Sequence, residues 1–382
     1  MNPLPMPSDI QPAAPEVPRE RVIEPIEPPS VKLVVRLFLI PLLIAGLVIS
    51  AMLIMSLLGS MAGSAPSFDQ AIQDLKNDSG GQRTAGWLVG PGAKQRYIDA
   101  KALTDQMKGG MTEAERIRLA ADLTDILEHH TRPDEGEVQH FVLLALGRVW
   151  QKDPRQAAMD SPEAVASRRG VVQSLLQNAR TRETNPKSAP DLATLSPEEQ
   201  KDYLNQEMSR RKAAILALAF LAGRDEVKAA FPTLIQILRD GAEDTDVRMA
   251  AASALGPIAT PPDQNVIDAL NWAMDNGGND ELIWDAAGSL AQLNQPRAAD
   301  TILMLLDRNW LAGKQYDDPE TGTKRPLSEY EQQRILINTM QAARKLQLPA
   351  IHAKLEQIAA TDPSPRVRQF AKDVLAGKED NE

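Results

Sequence analysis

No cysteine occurs among the 382 residues, and aromatic side chains make up only 4% of them. The first absence removes disulfide scaffolds, zinc sites built on Cys, covalent haem attachment, Cys lipidation and thiol catalysis together. The second, beside so much alanine and leucine, excludes an all-β fold, whose pleated faces call for aromatic and β-branched side chains. A net charge of −10 argues against nucleic acid as a partner, because neutralising phosphates takes clustered Lys and Arg. Catalytic signatures are also missing: there is no G-x-x-x-x-G-K-[ST], no H-E-x-x-H, no G-x-S-x-G, and no G-x-G-x-x-G after a strand pattern. Composition and motifs together predict an all-α protein that is not an enzyme and carries no cofactor or metal.

Proline is plentiful but unevenly placed, with nine of its 28 occurrences in residues 1–30, interleaved with Glu16, Glu20, Glu24 and Glu27. Such a segment cannot bury enough apolar surface to offset chain entropy and reads as a disordered tail. Residues 31–59 follow as an apolar segment, in which 37–59 are 23 positions without a charge. At about 1.5 Å rise per residue they match the roughly 30 Å hydrocarbon core of a bilayer, so one transmembrane helix is expected there. Arg19, Arg21, Lys32 and Arg36 precede it, whereas only Lys76 occurs in the twenty residues after Gly59. That bias places the tail in the cytoplasm and the larger part outside. Gly46 with Ser50, and Gly59 with Gly63, have the small-xxx-small spacing that suits a weak homodimer through this helix. Ser60-Met61-Ala62 leaves cleavage and secretion as the alternative.

From residue 60 to 382 short helical patterns alternate with Gly, Asn, Asp and Pro. Thr112 with Glu115 and Ser328 with Glu331 are capping boxes, and Ser196-Pro197-Glu198-Glu199 sets a cap, a first-turn proline and two acids in order. The segment DVRMAAASALGPIA at 246–259 recurs when slid along the chain. An offset of 37 toward the N-terminus meets Arg211-Lys212-Ala213-Ala214 and Ala217-Leu218-Ala219, and 109 meets Ala145-Leu146-Gly147. Toward the C-terminus, 35 meets Ala286-Ala287 and Leu290-Ala291, and 120 meets Val367-Arg368, Ala371 and Leu375-Ala376. A period in the mid-thirties built from helix pairs predicts an α-solenoid.

The segment LIQILRDGAEDTDVRMAAASALGPIA resembles a HEAT repeat, of the type also found in PBS-lyase HEAT-like proteins. Residues 351–377 resemble it further through Asp362-Pro363-Ser364-Pro365-Arg366-Val367-Arg368. The resemblance implies a solenoid over 60–382 that binds protein partners, with irregular insertions near 181–195 and 311–327. It also implies a structural ladder of turn Asp and second-helix Arg, for which Asp362, Arg368 and Arg248 match, while Ile283 departs from the Arg position. The function expected is a membrane-anchored scaffold for protein interaction at the cell envelope; a bilin lyase-like protein is the enzymatic alternative.

Four local features invite chemistry. Glu128 to His140 holds three of the four histidines, yet their spacing fits no zinc motif and reads as a polar turn. Asp240, Glu243, Asp244 and Asp246 lack the calcium-loop pattern and read as helix caps. Arg168-Arg169 and Arg210-Arg211-Lys212 read as solvated or neutralised ridges. The 311–327 insertion is flanked by Trp310, Tyr316 and Tyr330 among mixed charges, which marks these three as candidate partner contacts.

Overall fold

Helix starts are written into the chain by side chains that satisfy orphan backbone donors, and the computed structural model shows each in place. It describes residues 68–77, 91–106, 111–131, 135–152, 160–180, 192–317 and 323–378, without the side chains of 91–94, 316 and 317. The Pro-rich tail, the 37–59 span and most of the 181–195 insertion lie outside the described residues. Among the described residues no helix is long and apolar enough to cross a membrane.

Fifteen α-helices are described: α1 Phe68–Lys76, α2 Pro91–Gln106, α3 Glu113–His129, α4 Gly136–Val149, α5 Pro162–Ala179, α6 Pro197–Ala219, α7 Phe231–Arg239, α8 Thr245–Ile258, α9 Gln264–Asn276, α10 Asp280–Gln292, α11 Ala299–Leu305, α12 Arg308–Gly313, α13 Glu329–Ala343, α14 Pro349–Thr361 and α15 Pro365–Leu375. Reciprocal capping boxes open α3 (Thr112, Glu115), α6 (Ser196, Glu199) and α13 (Ser328, Glu331). Asp244 opens α8 by accepting from the amides of Asp246 and Val247 at 2.9 and 3.4 Å and is a cap, whereas Glu243 pairs with Arg211 and Asp246 with Lys212.

The helices combine into seven pairs: α1/α2, α3/α4, α5/α6, α7/α8, α9/α10, α11/α13 and α14/α15. Second helices of successive pairs pack on one another in the order α2, α4, α6, α8, α10, α13, α15, forming one layer. First helices form the other, with α1 on α3, α3 on α5, α7 on α9 and α11 on α14. No pair can bury its own apolar stripe, so each depends on its neighbours, and the core runs through the stack from Ala71 to Ala371. Small residues set the spacing. A Cβ on Gly147 of α4 would collide with the backbone of Ala217 in α6, and one on Gly256 of α8 would lie 2.8 Å from Ser289 Cα in α10.

A second device recurs within the pairs. An arginine of the second helix donates to a carbonyl at the end of the first: Arg96 to Leu75 (2.7 Å), Arg211 to Ala179 (2.9 Å), Arg248 to Leu238 (3.2 Å) and Arg368 to Asp362 (2.5 Å). Terminal carbonyls have no intrahelical donor, and a buried guanidinium supplies one. Arg210 and Arg211 are therefore buried caps, and Arg168 is buried between Asp160 and Glu226, rather than forming solvated ridges.

The 311–327 insertion is partly regular. Helix α12 continues to Gly313, and β1 (Gln315–Asp317) pairs antiparallel with β2 (Lys324–Pro326), with Tyr316 opposite Arg325.

Candidate functional site

The joint between α10 and α13 differs from the joints before it. Between α8 and α10 the backbones approach until Gly256 has no room for a side chain, and Ser289 Oγ donates to the Ala252 carbonyl at 2.7 Å. Between α10 and α13 the corresponding probe is relaxed: a Cβ on Gly288 would meet only the Ala342 Cβ, at 3.8 Å. Along the chain, α12 and the hairpin lie between α11 and its partner α13.

A groove of about 890 Å³ occupies the widened joint on the second-helix layer. Leu216 of α6 and Met249 of α8 lie at one end, Trp284 of α10 along one wall, and Ile335 and Asn338 of α13 along the other. Leu216 is 38% exposed, an uncovered apolar side chain at the groove. Several charges on the rim are satisfied within the chain. Lys212 bridges to Asp246 at 2.6 Å, and Arg325 holds Glu331 through both oxygens at 2.7 and 2.8 Å. That guanidinium, with the Ser328 hydroxyl, keeps the Glu331 carboxyl well below the usual carboxylate range.

Asp285 is perturbed in the opposite direction. It is half-buried in the groove, and burial pushes its carboxyl up to about 7, opposed by the Ser253 hydroxyl and reinforced by Glu281 one turn away. No cation enters among the causes of that shift. Ser253 faces the same space, and Pro257 within α8 has no N–H to give the Ser253 carbonyl, which therefore lacks its helical donor.

Of the candidate contacts, Trp310 lies in α12 and meets Trp284 edge-on at 5.8 Å, which ties it to the groove wall. Lys314 caps this arrangement, 4.6 Å above the Trp310 ring and 2.7 Å from Asp280. Tyr330 stands 70% exposed at the start of α13, and the Tyr316 side chain lies outside the described residues. The ladder candidates do not line up as one ladder. Arg248 and Arg368 cap carbonyls of their own pairs, and the Asp362 carboxylate instead receives Arg308 through two bonds of 2.9 Å. Arg308 also grips Glu329 at 2.8 and 2.9 Å, and together the two carboxylates hold its proton more firmly. The histidines separate: His129 and His130 face Asp125, while His140 lies 3.3 Å from Ser209. Among the described residues no cluster of three metal-ligating side chains occurs.

Sequence reasoning passed over Asp285, Trp284 and Ser253. Their one visible signal was an acid set in the apolar run of LIWDAAGSLA, a pattern that an ordinary amphipathic helix shares.

Seven stacked helix pairs with a continuous core and two layers define an α-solenoid. Residues 231–312, from α7 through most of α12, match the family model for HEAT repeats. No curated protein and no solved structure matches the chain.

Proposed function

We propose that this chain is a non-catalytic scaffold that holds a protein partner at the cell envelope, anchored by residues 37–59 and docking the partner in the groove between α10 and α13. The observation that carries this reading is the open joint. A solenoid stabilised by stacking has every reason to close its rungs, and this one leaves apolar and aromatic side chains, Leu216, Met249, Trp284 and Ile335, facing an unfilled space. The groove holds no convergent nucleophile, base and orienting acid, which supports binding over catalysis. Anchorage rests on the uncharged 37–59 run, and the excess of Arg and Lys before it supports a cytoplasmic tail with the solenoid outside.

Photo-crosslinking in membranes tests the reading. A photoreactive residue replacing Asn338, in the groove, is expected to trap a discrete protein species. The same residue replacing Gln357, exposed on α14 in the opposite layer, is expected to trap none. Equal yields from the two positions, or none from Asn338, would refute docking in the groove.

A further inference from the structure

Resting on the docking reading, we propose that the partner segment taken by this groove presents a Lys or Arg side chain, whose cationic head sits against Asp285 and Glu281 and whose stem lies along Trp284.

Three independent features of the groove converge on a donor-only, positively charged group. First, Glu281 and Asp285 are four residues apart on α10, so their carboxylates share one helix face, and both line the groove. Second, Ser253, whose hydroxyl meets Asp285, has no helical N–H on its carbonyl because Pro257 stands four residues on, so a further acceptor belongs to the same wall as these acceptor-only carboxylates. Third, Trp284 lies in the same wall, with its neighbour Trp310 already carrying a cation, Lys314, on its ring. Such a wall matches the long apolar stem and charged head of Lys or Arg.

Several charges of the surrounding elements are engaged within the chain. Lys212 of α6 is engaged by Asp246 of α8. Glu331 of α13 is taken by Arg325, and Arg344 lies over the Phe370 ring at 5.5 Å. Arg334 and Lys345 of α13 also line the groove, and the like charge of Glu281 reinforces the raised pKa of Asp285. An incoming cation would relieve that repulsion and compensate a carboxylate that burial otherwise disfavours. Acidic segments lack this complementarity because they would bring a like charge against Glu281 and Asp285, and neutral ones bring no charge to offset theirs.

The test uses the full-length chain in detergent micelles and end-blocked fluorescent octapeptides of Ala, Leu and Ser with Arg, Lys, Gln or Glu at one central position. By anisotropy at pH 8, the Arg and Lys peptides are expected to bind at least tenfold more tightly than the Gln and Glu peptides. Asp285→Asn and Glu281→Gln are each expected to cut that preference below threefold without lowering the melting temperature. Lowering the pH from 8 to 6 is expected to weaken binding of the Arg peptide to the wild type and to leave Asp285→Asn unaffected. The inference is overturned by equal binding of Arg and Gln peptides, by a preference for Glu, by no binding of any peptide at millimolar concentration, or by a preference that survives Asp285→Asn. A discrete crosslink from Asn338 with no cation preference would reject this inference and leave the docking reading standing. Loss of both would reject the two together.

Discussion

The joints on either side of α10 use similar helices to opposite ends. Toward α8 the contact is dry and close: Gly256 faces the Ser289 backbone, a buried hydroxyl crosses between the helices, and alanines fill the remaining space. Toward α13 the contact is held open, with Gly288 relaxed against Ala342 and a groove in place of interdigitated side chains. The stack draws its stability from the first kind of joint and exposes chemistry at the second. On the proposed docking reading, one solenoid holds both kinds of joint, a structural one and a binding one, on the two sides of a single helix.

This contrast can be broken by substitution, and the largest effect belongs to the closed joint. Leu255 is fully buried in α8, so Leu255→Asp is expected to abolish cooperative melting and most helical circular dichroism, since an unpaired buried charge costs several kcal/mol beyond the roughly 2 kcal/mol of lost burial. Ile335→Asp, in the open joint, is expected to leave a folded protein with a single transition. Next, Gly256→Ala must force α8 from α10 and is expected to cost about 3 kcal/mol by urea denaturation, whereas Gly288→Ala stays within about 0.5 kcal/mol of wild type. Similar losses at the two glycines would remove the distinction between the joints.

Smaller effects sharpen it. Arg308, at the first residue of α12, grips both Asp362 and Glu329 and so pins the inserted helix to the last pairs. Arg308→Ala is expected to cost about 2 kcal/mol, and Arg308→Lys to recover little of it, because a single ammonium cannot serve two carboxylates in forked geometry. Asp285→Asn should act in the opposite direction. Its folded pKa is raised from the ordinary carboxylate range to about 7, so ionisation is resisted in the fold, and stability is lost as pH rises between about 4 and 7. Removing the charge is therefore expected to stabilise the protein by about 1 to 2 kcal/mol at pH 8 and hardly at all at pH 4, read from melting curves at the two pH values. No stabilisation at pH 8 would show that Asp285 is already compensated.

How much of this was legible beforehand depended on how local the cause was. Caps at Thr112, Ser196 and Ser328 are decided within four residues, and the sequence shows all of them. Pairing and stacking were legible because alanine and leucine return at the same helical positions around Leu146, Leu218, Leu255 and Leu290. The buried roles of Arg168, Arg210 and Arg211 were hidden, because a basic pair on a helix looks alike whether it meets water or the carbonyl ends of a neighbour. The groove was hidden more deeply, since its walls come from α6, α8, α10 and α13, helices far apart in the chain. Trp310 stood out among charges, but its partner Trp284 could be found only once α10 and α12 were placed together.

The central claim is that the open joint is the working surface, and filling it without disturbing the closed joint tests that claim most directly. Gly288→Leu projects a side chain from α10 toward the groove, where only Ala342 stands near. The account predicts that the full-length variant melts within about 3 °C of wild type and loses the crosslinked species trapped from Asn338. A folded Gly288→Leu protein that retains the same crosslink at wild-type yield would contradict it.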